Sequence, residues 1–206
     1  MKHIEPYSSL QTALTTLDNG GRFYNFFSKA GDGLVDSAEL SKVAGVIGDR
    51  QRMFLFFELA LSQLDESDKQ QIKSAMSPDL RQLYSEYAPK FYSPSEAKSQ
   101  GTSGEATLIK GVPKFIDDKT KLSGFIMIPI MAGKVMTFSM IPIMEKYNVY
   151  EVYDNLSEQK CIIAHAKNDN VLEPKEHTFG GVLKQLQSDK QQSEKPELFL
   201  EAFYYC

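Results

Sequence analysis

The sequence predicts an α+β protein, with an N-terminal helical domain followed by a C-terminal antiparallel β-sheet or small β-barrel domain. Two observations predict this order. Apolar residues recur at helical spacing through the first ninety residues, whereas short runs rich in Val, Ile, Phe, Tyr and Thr follow. Between them lies a polar stretch of small residues without periodicity. The predicted domains are residues 1–92 and 105–206, joined by a linker at 93–104.

The first domain is expected to be a bundle of helices. Apolar spacing predicts a helical segment over 10–29 and a helix over 49–64 that is apolar around more than half of its circumference. A helix of that kind belongs at the centre of its bundle. Ser77 and Pro78 then give a strong helix start, and Pro89 ends that helix because proline cannot donate a backbone hydrogen bond.

The second domain is expected to be built from strands. They follow one another at a spacing that favours antiparallel pairing over alternating strands and helices. The predicted strands are 106–112, 123–131, 134–143, 147–153, 159–166, 178–185 and 197–205. The run 178–190 also fits a helix, and this alternative stays open.

Charge and cysteine content exclude several classes of protein. The chain of 206 residues carries 23 basic and 27 acidic residues, which gives a net charge of -4 and disfavours nucleic-acid binding. No arginine follows Arg81, although arginine is the preferred reader of phosphate and guanine. Two cysteines, Cys161 and Cys206, fit a reducing compartment. With no signal peptide and no long apolar run, we expect a cytoplasmic protein without membrane insertion.

One loop carries the only motif that suggests a metal. Residues 28–40 read SKAGDGLVDSAEL, with a glycine where a sharp turn is needed and helices predicted on both sides. Over residues 15–46 the pattern resembles an EF-hand, a helix–loop–helix that binds calcium through a twelve-residue loop. The resemblance implies calcium ligands at Asp32, Asp36 and Glu39, the fifth, ninth and twelfth places of the loop.

The same loop departs from the EF-hand pattern at two places. The first and third places hold Ser28 and Ala30 instead of carboxylates or amides, so too few oxygens remain for tight binding. We expect millimolar calcium affinity or none, and no other cofactor. An alternative without metal is that Asp36 caps the next helix and Glu39 completes a capping box. The loop is then a degenerate EF-hand that keeps the shape and has lost the ion.

A methionine-rich ribbon is the most unusual part of the chain. The string MIPIM occurs at 127–131 and again at 140–144, and Ala132 with Gly133 offers a two-residue turn between the copies. Strand alternation then gives a branched aliphatic face and a face of methionine and phenylalanine. Both faces are apolar, so each needs a cover. The predicted partner-binding residues are Phe125, Met127, Met131, Met136, Phe138, Met140 and Met144.

Two readings of this ribbon remain open. It is either part of the protein's core or a pliable groove for a partner or ligand, because methionine adapts to irregular surfaces. Pro129 and Pro142 cannot donate to a β-ladder, so a bulge or a sheet edge is expected at each.

Motifs for catalysis are missing from the sequence. It has no nucleophile elbow, phosphate-binding glycine loop or zinc-protease motif. Cys161 and His165 share a strand face but lie about 13 Å apart, too far for a thiolate–imidazole pair. We therefore expect a non-catalytic binding or regulatory protein.

Two other functions are kept as alternatives. One is an OB-like binder of single-stranded nucleic acid that stacks bases on aromatic side chains of the β-domain. The aromatic candidates are Phe115, Tyr147, Tyr150 and Tyr153. The other is an enzyme or small-ligand carrier that uses the interior of the β-domain.

Overall fold

The structure is a computed structural model, and the predicted α+β class is confirmed. The residues that it describes are 1–19, 31–116, 125–132, 135–154, 157–167, 171–186 and 197–206, with only the backbone described for the strand residues between 126 and 139 and for 157–159. The chain divides into two compact units. The helical unit comprises Lys2–Lys90 with Tyr204–Cys206, and the barrel unit comprises Met1 with Phe91–Phe203.

Each helix of the helical unit begins at a side chain that caps it. In the described residues these caps are aspartate or serine, and each accepts a hydrogen bond from a backbone N–H of the first turn. The helices are α1 (Leu10–Leu17), α2 (Ser37–Ala44), α3 (Arg50–Ala60), α4 (Glu66–Ser74) and α5 (Pro78–Tyr87). Residues 20–29 of the helical segment predicted at 10–29 lie outside the described residues. Strand β1 (Lys2–His3) pairs in parallel with Tyr204 and Tyr205.

Helix α3 is the centre of the helical unit, as its apolar circumference predicts. All residues from Met53 to Ala60 are buried, including Glu58 at 5% exposure. The Glu58 carboxylate accepts a hydrogen bond from the Tyr84 hydroxyl, and Lys73 Nζ lies 3.0 Å from Glu58 Oε1. The Lys73 ammonium also lies 4.9 Å from the centre of the Tyr84 ring. A buried charge is thus satisfied by two partners from α4 and α5.

The second unit is a closed barrel of five strands. Its strands are β3 (Ala106–Phe115), β6 (Tyr147–Asp154), β7 (Ser157–Ala166), β8 (His177–Leu186) and β9 (Glu197–Tyr205), with β2 (Lys90–Tyr92) added beside β3. Going around the barrel, the order is β3–β6–β7–β9–β8 and back to β3. Residues 177–186 thus form a strand, not the alternative helix.

The predicted small β-barrel is confirmed, and its pairing is mixed where antiparallel pairing was expected. Strands β7 and β9 are parallel, with Ile163 opposite Leu200. Strand β8, which lies between them in the sequence, pairs with β9 and β3 instead of with β7. Sequence runs alone do not specify that pairing. The other barrel pairs with known register, β3–β6, β6–β7 and β3–β8, are antiparallel.

Strand alternation separates the inside of the barrel from its outside. Inward positions are bulky and buried on every barrel strand, whereas outward positions of β3 and β8 include lysines. The inward set includes Ile109, Tyr150, Val152, Ile163, Phe179, Leu183, Leu200 and Ala202. Gly181 is also inward, and a Cβ there would lie 2.8 Å from the Glu201 carbonyl carbon. That close approach requires glycine.

The stretch 93–104, which the sequence predicts as a linker, contains helix α6 (Pro94–Gln100). A capping box starts it, because Ser93 accepts from the Glu96 N–H while the Glu96 carboxylate accepts from the Ser93 N–H. The helix packs on barrel strands through buried Ala97. Small polar residues hid this helix from a periodicity argument, although its cap is readable in the sequence.

Candidate functional site

The methionine-rich stretch forms a two-stranded ribbon between the first and second strands of the barrel. Its strands are β4 (Phe125–Ala132) and β5 (Val135–Pro142), which pair only with each other among the described residues. Ala132 is opposite Val135, so the predicted turn at Ala132 and Gly133 is wrong, and 133–134 lie outside the described residues. The pairing is shifted by two residues from the predicted one. An even shift preserves the predicted division of positions between the two faces.

Both prolines of the ribbon lie in edge strands, as one of the two expectations for them requires. The register runs without interruption from the Phe125–Pro142 pair to the Ala132–Val135 pair, so the ribbon has no bulge. Because proline has no N–H, Pro129 and Pro142 fit the ladder only where their nitrogens point away from the partner strand. The Pro129–Phe138 and Phe125–Pro142 pairs have the same parity. The same alternation of hydrogen-bonded and non-hydrogen-bonded pairs therefore points the nitrogens of both prolines away from the partner strand.

The end of the ribbon anchors it to the barrel. Helix α7 (Ile143–Lys146) follows directly, and Ile143 is fully buried against Val149 of β6, Ile162 of β7 and Phe199 of β9. Met144 packs on the same cluster. Met144 therefore belongs to the barrel surface and does not continue the alternation of β5, because the chain turns into a helix after Pro142.

The predicted partner-binding residues divide into three groups. Met140 is 61% exposed at the end of β5, and Phe125 is half-buried at the start of β4. Met144 packs on the barrel, as described above. The side chains of Met127, Met131, Met136 and Phe138 lie outside the described part of the chain.

The aromatic residues predicted for base stacking do not form one platform. Phe115 and Tyr150 lie on the inward side of the barrel, where Tyr150 is buried and meets Phe115 edge-on at 5.4 Å. Tyr147 and Tyr153 lie on the outward side. The Tyr147 hydroxyl donates to Glu201 at 2.8 Å, and burial followed by this bond raises the pKa of Tyr147 to about 12.

A histidine and a cysteine of β7 are buried at inward positions of the barrel. The His165 ring stacks on Tyr150 at 5.7 Å between ring centres, and its Nδ1 lies 2.9 Å from the Ala166 carbonyl oxygen. Burial lowers the pKa of His165, so the ring is neutral at pH 7 and donates from Nδ1. Burial also raises the pKa of Cys161 to about 12. The predictions of a buried cysteine and a hydrogen-bonded histidine are confirmed.

The EF-hand-like loop is organised by an aspartate that precedes the twelve-residue loop. Asp18, directly after α1, accepts hydrogen bonds from the Gly31 and Gly33 N–H groups at 2.8 Å each. Both glycines have positive φ, 77° and 82°, a conformation that other residues rarely adopt. Sequence reasoning missed Asp18 because it lies ten residues before the first place of the loop.

The predicted calcium ligands serve as backbone caps. Asp32 accepts from the Leu34 N–H at 3.0 Å. Asp36 accepts from the Glu39 N–H at 2.8 Å, and Glu39 Oε2 accepts from the Asp36 N–H at 3.0 Å, which forms the predicted capping box. Val35, at the eighth place, forms a parallel β-bridge with Met76. All three carboxylates therefore accept hydrogen bonds from backbone N–H groups, a structural role that requires no ion.

Among the described acids of this loop, Glu39 has a raised pKa. It is 3% exposed, and its Oε1 atom is buried without a hydrogen-bond partner among the described residues. Burial raises the pKa of Glu39, the hydrogen bond from the Asp36 N–H opposes this, and the negative charges of Asp36, Asp18 and Asp32 raise it further.

The described part of the chain holds neither a metal-binding cluster nor a helix that could cross a membrane. In that part of the chain no three His, Cys, Asp or Glu side chains are grouped so that they could hold a metal ion. None of the helices it contains has the length and apolar character needed to cross a membrane. No model of a known protein family matches the chain, and no curated protein matches it either.

Proposed function

We propose that this chain is a non-catalytic binding or regulatory protein that recognises another protein through the methionine and phenylalanine face of the β4–β5 ribbon. The observation that carries the proposal is that an apolar ribbon pairs only with itself in the described residues and ends in a highly exposed methionine, Met140. An apolar ribbon of this length is costly to leave in water.

Anchoring of the ribbon supports the same proposal. Ile143 is buried on the barrel directly after β5, so a partner bound to the ribbon would be held at a fixed place on a rigid body. Thioether side chains supply an adaptable contact surface with polarisable sulfur. The proposed contact residues on the ribbon are Phe125, Met127, Met131, Met136, Phe138 and Met140.

The experiment is a comparative capture from a lysate of the source cells. Met140→Glu places a charge on the ribbon, and Val171→Glu places one on another exposed apolar residue of the barrel unit, at 58% exposure. We expect a protein that is retained by the wild type and by Val171→Glu and is lost with Met140→Glu. Equal recovery with both variants would remove the ribbon from the function.

A second candidate is an OB-like binder of single-stranded nucleic acid. Its supporting observation is the closed five-stranded barrel with a long insertion between its first and second strands, the connection that binds ligands in OB-folds. The net charge of -4 and the separated aromatic residues oppose it. Fluorescence anisotropy with a labelled oligonucleotide tests it, because real binding would weaken steeply with salt.

For the helical unit and the cellular location, the sequence supports two further proposals. We propose that the loop at 28–39 is a degenerate EF-hand-like turn without a resident ion, supported by the use of Asp36 and Glu39 as caps. We also propose a cytoplasmic location, supported by the low cysteine content.

A further inference from the structure

In the described part of the structure, the edge of β5 that faces away from β4 pairs with no other strand. Strand β5 pairs with β4 on one side, and the two form a sheet of their own. Strand β4 also approaches β8, whereas β5 approaches chiefly β4 and the helix that follows it. Natural sheets protect an open edge with charges, prolines or bulges. Residues 125–142 contain only one charged residue, and the register shows no bulge.

The alternation of hydrogen-bonded and non-hydrogen-bonded pairs in the ribbon shows which backbone groups of β5 point to its open side. Pro129 lacks an N–H, so its pair with Phe138 is a non-hydrogen-bonded pair within the ribbon. The N–H and C=O of Phe138 consequently point to the open side, and those of Met136 and Met140 do the same because hydrogen-bonded pairs alternate. Pro142 occupies the next outward position and ends the row of donors.

The sequence of β5 is close to a palindrome about Phe138. It reads VMTFSMI over 135–141, so equal steps on either side of Phe138 give Thr and Ser, then Met and Met, then Val and Ile. Antiparallel pairing with an identical strand about a two-fold axis at Phe138 sets like residues opposite each other. Hydroxyl, thioether and β-branched cross-strand pairs are all favourable.

We propose that the chain forms a homodimer by antiparallel pairing of β5 with β5 of a second copy, centred on Phe138. The backbone N–H and C=O of Phe138 point to the open side of β5. With a two-fold axis at this residue, the two copies of Phe138 can therefore form a hydrogen-bonded pair that exchanges both N–H···O=C bonds. The interface is isologous and closes on itself. It uses the edge of the ribbon rather than its methionine face, so it does not rest on the proposed function.

Proline substitution tests the edge without disturbing the ribbon. Met140→Pro removes an outward donor from β5, whose Pro142 shows that this edge accepts proline. Met127→Pro is the matched control, because it removes an outward donor from β4 beside Pro129. By sedimentation equilibrium we expect the wild type and Met127→Pro to reach twice the 23.2 kDa chain mass, and Met140→Pro to lose the dimer. A monomeric wild type at the highest soluble concentration would overturn the proposal.

Disulfide trapping gives a second readout on the full-length chain. In a Cys206→Ser background, Phe138→Cys sets two thiols opposite each other at a Cα separation of about 5.5 Å, within disulfide range. In the Met127→Cys control the two thiols are three strand spacings and four residues apart, about 20 Å. We expect rapid oxidation to a covalent dimer in the first variant alone. Equal cross-linking in both, or a dimer that survives Met140→Pro, would refute the β5 pairing.

Discussion

Substitution of Lys73 tests the buried charge network of the helical unit. Lys73→Met keeps the aliphatic stem but leaves the Glu58 carboxylate, at 5% exposure, with the Tyr84 hydroxyl as its remaining described partner. Removing one member of a buried ion pair costs about 3–5 kcal/mol. The Lys73 side chain is itself 28% exposed, so water offsets part of this loss. We expect a cost of about 2–3 kcal/mol, at or just below the lower end of that range.

The assay is thermal unfolding followed by circular dichroism at the helix band. A cost of this size corresponds to a fall in Tm of roughly 10–20 °C for a unit of this length. The double variant Glu58→Gln with Lys73→Met should recover most of the loss, because no buried charge remains. Lys69→Met is the matched control on the same helix, since its partner Glu66 is 89% exposed. We expect that control to cost under about 0.5 kcal/mol.

A Lys73→Met variant as stable as the Lys69→Met control would refute the reasoning. It would mean that the Glu58 carboxylate is satisfied without Lys73. The raised pKa of Lys73 supports a strong interaction between the two side chains. Burial lowers this pKa, but the hydrogen bond with Tyr84 and the attraction of Glu58 outweigh that effect.

Further predictions concern protons, calcium, thiols and packing. The raised pKa of Glu39 means that the folded state holds a proton that the unfolded chain has released, so this group adds stability as pH falls from neutral; Glu39→Gln should therefore stabilise more at pH 7 than at pH 4 in thermal melts. Calorimetric titration at micromolar calcium should give no stoichiometric heat, because the loop carboxylates already cap backbone groups. An aromatic disulfide reagent at pH 8 should titrate Cys206 in the folded chain and reach Cys161 only after unfolding, since burial raises the pKa of Cys161 to about 12. Gly181→Ala should cost about 1–3 kcal/mol in denaturant melts, because its Cβ would lie 2.9 Å from the Ala202 Cα.

Local chemistry made much of this fold readable from the sequence. Ser77 and Pro78 start α5 where the sequence predicts, and the Asp36–Glu39 capping box is present. These signals work because cap and helix lie within four residues of each other. The apolar circumference of α3 likewise predicts its burial, since exposing its phenylalanines to water would be unfavourable on any face of the helix.

Long-range pairing was out of reach for the same reasoning. Nothing in the runs at 159–166 and 197–205 specifies that β7 and β9 pair in parallel. The Asp18 contact to Gly31 and Gly33 joins residues 13 and 15 positions apart, without a spacing rule to announce it. The ribbon register was missed by two residues because Ala132 and Gly133 fit the residue preferences of a two-residue turn, whereas Ala132 pairs with Val135.

The helical unit includes Tyr204–Cys206, which are far along the sequence from its other residues. Tyr204 packs edge-on against Phe56 at 6.4 Å, and the Ile4 N–H donates to the Tyr205 carbonyl at 2.8 Å. During translation the first ninety residues therefore leave the ribosome long before these contacts can form. Until then Phe56 lacks its aromatic cover, so nascent chains stalled before residue 204 should be more sensitive to protease than the released protein.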